Sequence, residues 1–440
     1  MNELYWLNPN YRFRQESWGG YAWGGGYTDS FQIGKDAFQS IKYISKCYPE
    51  GISVVELAKE LELPKKITQK WCNKSYQKGI LIKENLGPPQ KVIEKDFLVP
   101  YSLSAPRSIF LEITSKCNLK CNHCYTSSHP NANLEIETEE VKSLLSTAYN
   151  YGVYNLAFGG GEPLMRDDIL KLARISKNIG YTLGISTNGL LLNDKISKKF
   201  SNVGVDYLLV SLDGPTPDIH AQLRGKGTFK STCQGIRAAT SNGLKVTINY
   251  VLHKNNWQFM NDIIKLANDL EASKVRFMRL IKAGRASDNY ENLALNSNEY
   301  SQIINKMINL LKKDTPVEVG IDECFIGLHD YGIYERPART SWLPEKYLGC
   351  VAGRSQLFID AEGNCFPCGY LRENKFNGGN IRNSNLSEIW EGNAFDALRK
   401  ITDLDEKCNK CNNLVRCSGG CRAAAYFDES LKAPDPLCWK

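Results

Sequence analysis

Cys117, Cys121 and Cys124 stand in the run SKCNLKCNHCY, residues 115–125, with the spacing C-x3-C-x2-C. Thiolates are soft ligands suited to zinc or to an iron–sulfur cluster, and either centre normally takes four protein ligands. Three thiolates on a cube-shaped cluster leave one iron open to a small molecule, so the shortfall is itself a chemical signal. A zinc site would need a fourth donor, for which His123 and His129 stand nearest in sequence.

Eight further cysteines fall between residues 345 and 440: Cys350, Cys365, Cys368, Cys408, Cys411, Cys417, Cys421 and Cys438. The 440-residue chain holds 15 in all. In a reducing compartment disulfides are disfavoured, so clustered cysteines read first as metal ligands. The last segment is loop-rich and short of apolar residues for a core of its own, a deficit that metal ligation would offset. Cys47, Cys72 and Cys233 fall in helical patterns and read as small packed hydrophobes.

Between the two cysteine sets lie GGGEPL (159–164), STNG (186–189) and SLDG (211–214). Glycine backbone at 160 and 161 admits a ligand without a Cβ in the way, and the Glu162 carboxylate can neutralise an ammonium. Ser186, Thr187, Asn188, Ser211 and Asp213 offer hydroxyl, amide and carboxylate groups suited to a ribose.

Groups so far apart in sequence need a frame. From about residue 106 to 315, strand-like runs at 108–114, 155–160, 182–187, 207–213, 245–252 and 274–281 alternate with helical ones at 137–150, 167–179, 193–203, 229–242, 257–271 and 297–313. Six βα units with β-branched strands buried on both faces predict an α/β fold, a parallel sheet with right-handed crossovers rolled into a partial (β/α)6 TIM barrel. The three-cysteine loop follows the first strand, and GGGEPL, STNG and SLDG follow the second, third and fourth. Loops at the carboxyl ends of barrel strands converge over one mouth, so the four motifs are expected together there.

Residues 1–95 read as a separate winged-helix-like α+β domain. An aromatic, glycine-rich start suggests short strands, helical patterns follow at 35–46, 53–61 and 65–78, and Gly87-Pro88-Pro89 makes a linker. The expected organisation is 1–95, then the barrel at 96–315, then a bridging region and cysteine-rich extension at 316–440. With 42% hydrophobic and 23% charged residues the composition is that of an ordinary globular protein. No run of about 18 apolar residues could span a bilayer and the N-terminus lacks a secretory signal, which makes the cytoplasm the expected compartment. The net charge of +7 is dispersed over the chain and gives little support to nucleic-acid binding.

CNLKCNHC, set in six βα units, resembles the signature of radical S-adenosylmethionine (SAM) enzymes. The resemblance implies a [4Fe–4S] cluster on Cys117, Cys121 and Cys124, whose open iron chelates the amino and carboxylate groups of SAM. An electron from the cluster then gives a 5′-deoxyadenosyl radical. Gly160, Gly161 and Glu162 are similar to the family's GGE motif, which meets the SAM amino group. Ser186, Asn188, Ser211 and Asp213 fall in the zone of the family's ribose and carboxylate contacts. Arg224, in HAQLRGKGTF, would either pair with the SAM carboxylate or cap a helix.

The series Cys350-x12-Gly363-x4-Cys368, Cys408-x2-Cys411-x5-Cys417-x3-Cys421 and Cys438 resembles the seven-cysteine SPASM extension of peptide-modifying members. Carried over, Cys408, Cys411, Cys417 and Cys438 hold an outer auxiliary [4Fe–4S] cluster, and Cys350, Cys368 and Cys421 an inner one. Cys365 is the preferred fourth inner ligand, with Cys324 or an open site as alternatives. The N-terminal arrangement resembles the precursor-peptide recognition domain of the pyrroloquinoline quinone pathway, which adds a leader peptide as an extra strand.

Together these resemblances imply a maturase for a ribosomally made precursor peptide bound through its leader, forming an intramolecular crosslink, foremost a cysteine thioether. They also imply an electron donor such as flavodoxin or ferredoxin, and no nucleic-acid or membrane partner. Carbon–carbon crosslinking, Cα epimerisation and formylglycine-type sulfatase maturation are alternatives within the class. A zinc-binding winged-helix protein that binds nucleic acid is the alternative outside it.

Overall fold

A computed structural model describes residues 3–24, 30–95, 102–322, 350–401, 403–412, 414–417 and 419–438. Cys324, one candidate for the inner auxiliary site, lies outside them. Strands β1 (Leu4–Leu7), β2 (Arg12–Glu16), β3 (Gly19–Trp23) and β4 (Ser30–Gly34) precede helix α1 (Lys35–Lys46). Then come β5 (Ile52–Ser53), α2 (Val54–Glu60), α3 (Lys65–Gln77), β6 (Leu81–Ile82) and β7 (Val92–Ile93). β2, β3 and β4 form an antiparallel meander with β7 beside β2, while β1 pairs with both β5 and β6. Helix α2 starts where the sequence signals it, with Ser53 and Glu56 closing a capping box.

The six expected barrel strands are all present as β8 (Ser108–Thr114), β9 (Asn155–Gly160), β10 (Thr182–Thr187), β11 (Tyr207–Ser211), β12 (Val246–Leu252) and β13 (Lys274–Arg279). They are joined through α4 (Thr138–Asn150), α5 (Ile169–Ile179), α6 (Asp194–Val203), α7 (Pro217–Arg224), α8 (Thr228–Ser241) and α9 (Met260–Asp269). After α10 (Arg285–Leu293) and α11 (Ser297–Lys312), β14 (Glu318–Ile321) adds a seventh parallel strand beside β13. β15 (Gln356–Ile359) pairs parallel to β8 at the other edge, and β16 (Cys365–Phe366) pairs antiparallel to β15. The nine-stranded sheet runs β14-β13-β12-β11-β10-β9-β8-β15-β16, an open barrel into which the extension is woven. Leu111, Phe158, Leu183, Val210, Ile248 and Phe277, one from each of β8 to β13, share one fully buried core against the helices. Each such side chain contributes about 1.5–3 kcal/mol.

The extension carries more apolar packing than its sequence suggests. Phe358, Phe366, Phe376, Leu398 and Ala423 form a second core together with Ile281 and Ala283 of the barrel. An ion pair ties it further: Arg372 donates to both Glu112 carboxylate oxygens at 2.9 and 2.6 Å.

The N-terminal domain docks on the amino ends of β8 to β10, the side of the barrel away from the cysteine loop. Arg14 is fully buried, pairs with Glu16 at 2.6 Å and donates to the carbonyls of Pro106 and Gly152 at 3.1 and 2.7 Å. Glu16 in turn accepts from Ser104 N at 2.7 Å, and Trp23 packs edge-on against Tyr154. A buried pair with every donor satisfied fixes how the two units sit.

Lys95 follows β7, half-buried, with Nζ 3.1 Å from the centre of the Tyr151 ring. Burial and the Arg14 charge push its pKa down to about 7, against the pull of Glu391 and Glu16. The folded protein therefore releases this proton near pH 7, whereas the unfolded chain keeps it up to a free lysine's 10.5. Stability should rise as pH climbs between those values, with a slope below the limit of about 1.4 kcal/mol per pH unit for one proton. Urea unfolding across that window should show the rise flattened in Lys95→Met; identical slopes in the two proteins would sink this assignment.

Candidate active site

The carboxyl ends of β8 to β13 and Tyr370 of the extension surround an open-mouthed cavity. Cys117, Cys121, Cys124, Gly160, Gly161, Ser186, Asn188, Ser211 and Arg224 all line it, so residues spread over a hundred positions meet at one mouth as the strand order required. The cysteine loop is clamped from several sides. Arg285, on α10, donates to the carbonyls of Cys121, Ser127 and Ser128 at 2.8, 3.1 and 2.8 Å. Gly160 and Gly161 lie against its start: Gly161 N donates to Thr114 O at 2.8 Å, and a Cβ on Gly161 would stand 2.1 Å from Lys116 O. Gly160 adopts φ +113°, where a side chain is strained. Both glycines are thus demanded by backbone contact with the loop.

The donor set fits an iron–sulfur cluster better than a single ion. Burial pushes the Cys117 thiol up to about 12 and the Cys121 thiol upward as well, so these sulfurs become good ligands only where a metal stabilises the thiolate. Neither histidine offered as a fourth zinc donor groups with the three cysteines among the described residues. His123 turns Nε2 toward Asp213, 3.7 Å away, and His129 Nδ1 accepts from Asn131 N at 3.2 Å. Among the described residues no three His, Cys, Asp or Glu side chains converge as a single metal ion requires. A cube-shaped cluster takes its thiolates on separate irons and spaces them more widely.

Two of the expected ligand contacts, Glu162 and Asp213, stand behind the cavity lining. Glu162 is wholly buried and does not line the cavity; its carboxylate accepts from Leu164 N at 3.1 Å, Thr187 Oγ1 at 2.7 Å and Asn188 N at 2.7 Å. It braces the turn after β10, so what faces a ligand from this motif is the glycine backbone. That turn carries Asn188, whose Nδ2 donates to Asn118 Oδ1 at 2.7 Å beside Cys117. Asp213 is also fully buried: Arg224 Nε donates to Oδ2 at 2.6 Å and Val251 N to Oδ1 at 2.7 Å. Burial pushes its carboxyl up, but Arg224, His123 and the Val251 N–H bring it down to about 2. Asp213 therefore positions Arg224, which ends α7 and reaches back to place Nη1 3.8 Å from Cys121 Sγ. Gly225 caps the helix, and the Arg224 side chain faces the cavity instead.

In the extension, Cys350, Cys368 and Cys421 lie close enough for each to disfavour the others' charge, and burial pushes Cys368 up to about 12. Cys365, the preferred fourth inner ligand, is not with them. On β16 it pairs with Ile359 and sits wholly buried in the barrel core, while its neighbour Phe366 and the paired Phe358 face the extension core. Successive strand residues point to opposite faces, which turns Cys365 away from Cys368. Cys408 lies near Cys411 and Cys438, and turns with Leu414 N on Cys411 O and Gly420 N on Cys417 O shape the same loops. Asp435 links this region to the cavity: it pairs with cavity-lining Arg279 at 2.6 Å and accepts from Cys421 N at 2.9 Å.

Several lining residues were not read from the sequence, among them Tyr125, Asn249, Arg276, Arg285 and Tyr370. For Asn249 and Arg276 a signal existed, since polar residues inside otherwise apolar barrel strands must face somewhere other than the core.

Comparison with known proteins agrees with this architecture. Residues 111–267 match the radical SAM superfamily and residues 350–412 an iron–sulfur cluster-binding domain, SPASM. An AdoMet-dependent heme synthase of Oleidesulfovibrio alaskensis is 30% identical over 76% of this chain and 87% of its own. The mycofactocin maturase MftC of Mycolicibacterium smegmatis is 27% identical over 76% and 83%. In fold, Streptococcus suis SuiB bound to its precursor peptide SuiA is similar over 98% of this chain and 99% of its own, with a TM-score of 0.76 at 16% identity. No helix among the described residues is long and apolar enough to cross a membrane.

Proposed function

Since the chain belongs to the radical SAM superfamily and carries a SPASM domain, an enzyme class that binds SAM on one [4Fe–4S] cluster and holds auxiliary clusters, we propose that it matures a ribosomally made peptide. The observation that carries this reading is the N-terminal domain, a β-meander followed by three helices, because the fold likeness to peptide-bound SuiB extends over it. The heme synthase aligns with about three quarters of the chain. We assign residues 1–95 to leader recognition, with β4 as the strand edge a leader extends, 96–315 to SAM chemistry, and 316–440 to the bridging region and auxiliary clusters.

In this reading Cys117, Cys121 and Cys124 ligate the SAM-binding cluster, and Arg285 holds their loop rigid. The Gly160–Gly161 backbone and Asn188 meet the methionine part of SAM, Ser186 and Ser211 its ribose, and Arg224 its carboxylate. Cys408, Cys411, Cys417 and Cys438 serve the outer auxiliary cluster, and Cys350, Cys368 and Cys421 the inner. When bound, these cofactors supply an electron to split SAM, a radical that takes a hydrogen atom and an acceptor for the electron released. The peptide loses a hydrogen atom from carbon, a proton from a cysteine thiol and one electron as the carbon–sulfur bond forms. A flavodoxin or ferredoxin is the proposed electron source. Coexpression with a short cysteine-containing reading frame from the same locus should give a peptide lighter by about two hydrogens that resists thiol alkylation at one cysteine. An unchanged mass with normal alkylation would exclude the thioether.

A further inference from the structure

We propose that Arg276 anchors a carboxylate of the substrate inside the cavity, an inference that rests on the peptide reading above. Four arginines line this cavity, Arg224, Arg276, Arg279 and Arg285, and among the described lining residues there is no aspartate or glutamate. Three of the four are accounted for. Arg224 pairs with Asp213, Arg279 makes two bonds of 2.6 Å with Asp435, and Arg285 is spent on carbonyls of the cysteine loop. Arg276 donates Nε to Asn249 Oδ1 at 3.0 Å and brings Nη2 within 3.9 Å of the Met278 sulfur; among the described residues it has no carboxylate partner.

The sheet makes this placement deliberate. Ser211, Asn249 and Arg276 stand in register across β11, β12 and β13, a polar row at one level of the lumen. Asn249 holds the guanidinium by Nε, which leaves the far edge for a ligand. A half-buried guanidinium without a counter-charge among the described residues is costly, and a carboxylate offering two oxygens to its fork is the complementary group. Arg224, 3.8 Å from Cys121 Sγ, stands nearer the cluster loop and so serves SAM. Arg276, two strands further along the sheet from β11, is left for the substrate, which on this account carries an acidic side chain or a free C-terminus close to the reacting position.

Anaerobic phenylglyoxal labelling of the cluster-loaded protein, read residue by residue by mass spectrometry, tests this without any variant having to fold. Arg276 should label faster than Arg224 or Arg279. A saturating N-acetyl-Gly-Glu-Gly amide probe should slow its labelling about tenfold, the scale of one charge-assisted hydrogen bond, and the matched Gln peptide should not. Equal protection by both peptides, or no protection by either peptide or by glutarate, would overturn the anchor. Protection by SAM alone would also overturn it, because the carboxylate bound would be the cofactor's. Protection by glutarate but not by the glutamyl peptide would sustain Arg276 as a carboxylate anchor while removing the peptide reading.

Discussion

Replacing Cys117, Cys121 and Cys124 together by alanine should reduce 5′-deoxyadenosine formation to the assay floor while removing only about four of roughly twelve iron atoms. The loss is complete because no other residue can take over the electron route to SAM. The remaining iron should stay because the other cysteines sit on separate turns and on the second core, which the loop does not build. Iron content and visible absorption measured beside SAM cleavage check both halves. Cleavage that survives would place the SAM site elsewhere, and loss of all iron would mean that the clusters fold as one unit.

The second large effect is on stability. Arg372→Met should destabilise the protein by about 3 kcal/mol, because Glu112 would be left buried in strand β8 without its bidentate partner. Pairing that change with Glu112→Leu should recover most of the loss, since a matched apolar pair in a buried site is often neutral or better. Arg372 also covers the Phe358 ring at 4.6 Å and the Tyr125 ring at 5.2 Å, next to Cys124. The single variant should therefore loosen the cysteine loop as well. Thermal unfolding of the two variants separates the readings: equal losses in single and double would mean that packing of the Arg372 stem, rather than the stranded charge, sets the cost.

Much of the barrel was legible because its signals are local. Each of the six strands is a run of apolar and β-branched residues found within two residues of its expected limits, and each chemical motif follows a strand end. What escaped notice depends on pairing. β14 and β15 are four residues each, too short to show a period, and become strands because β13 and β8 offer open edges. Helix α7 falls outside the expected helices, although Thr216 caps it and Pro217 opens it.

The site shows the same division. Spacing identified the cysteine loop, but the direction in which Glu162, Asp213 and Cys365 point is a tertiary fact. Sequence proximity suggested that Glu162 and Asp213 touch a ligand, whereas competing backbone donors claim both carboxylates. Cys365 stands three residues from Cys368, yet strand alternation sends it to the opposite side of the sheet. The docking of the N-terminal domain through Arg14 and Glu16 carried no sequence signature, because a buried ion pair in a short strand looks like two surface charges.

The central claim is that the adenosyl radical made at the Cys117–Cys124 loop takes hydrogen from a peptide. The direct measurement is anaerobic turnover with SAM and a perdeuterated precursor peptide, followed by the mass of the 5′-deoxyadenosine formed. Transfer of one deuterium, giving product one unit heavier in step with peptide modification, is the expected result. Light 5′-deoxyadenosine from a bound, fully deuterated peptide, with heavy product obtained from a deuterated iron porphyrin instead, would contradict the account and assign the chain to the chemistry its heme synthase relatives are named for.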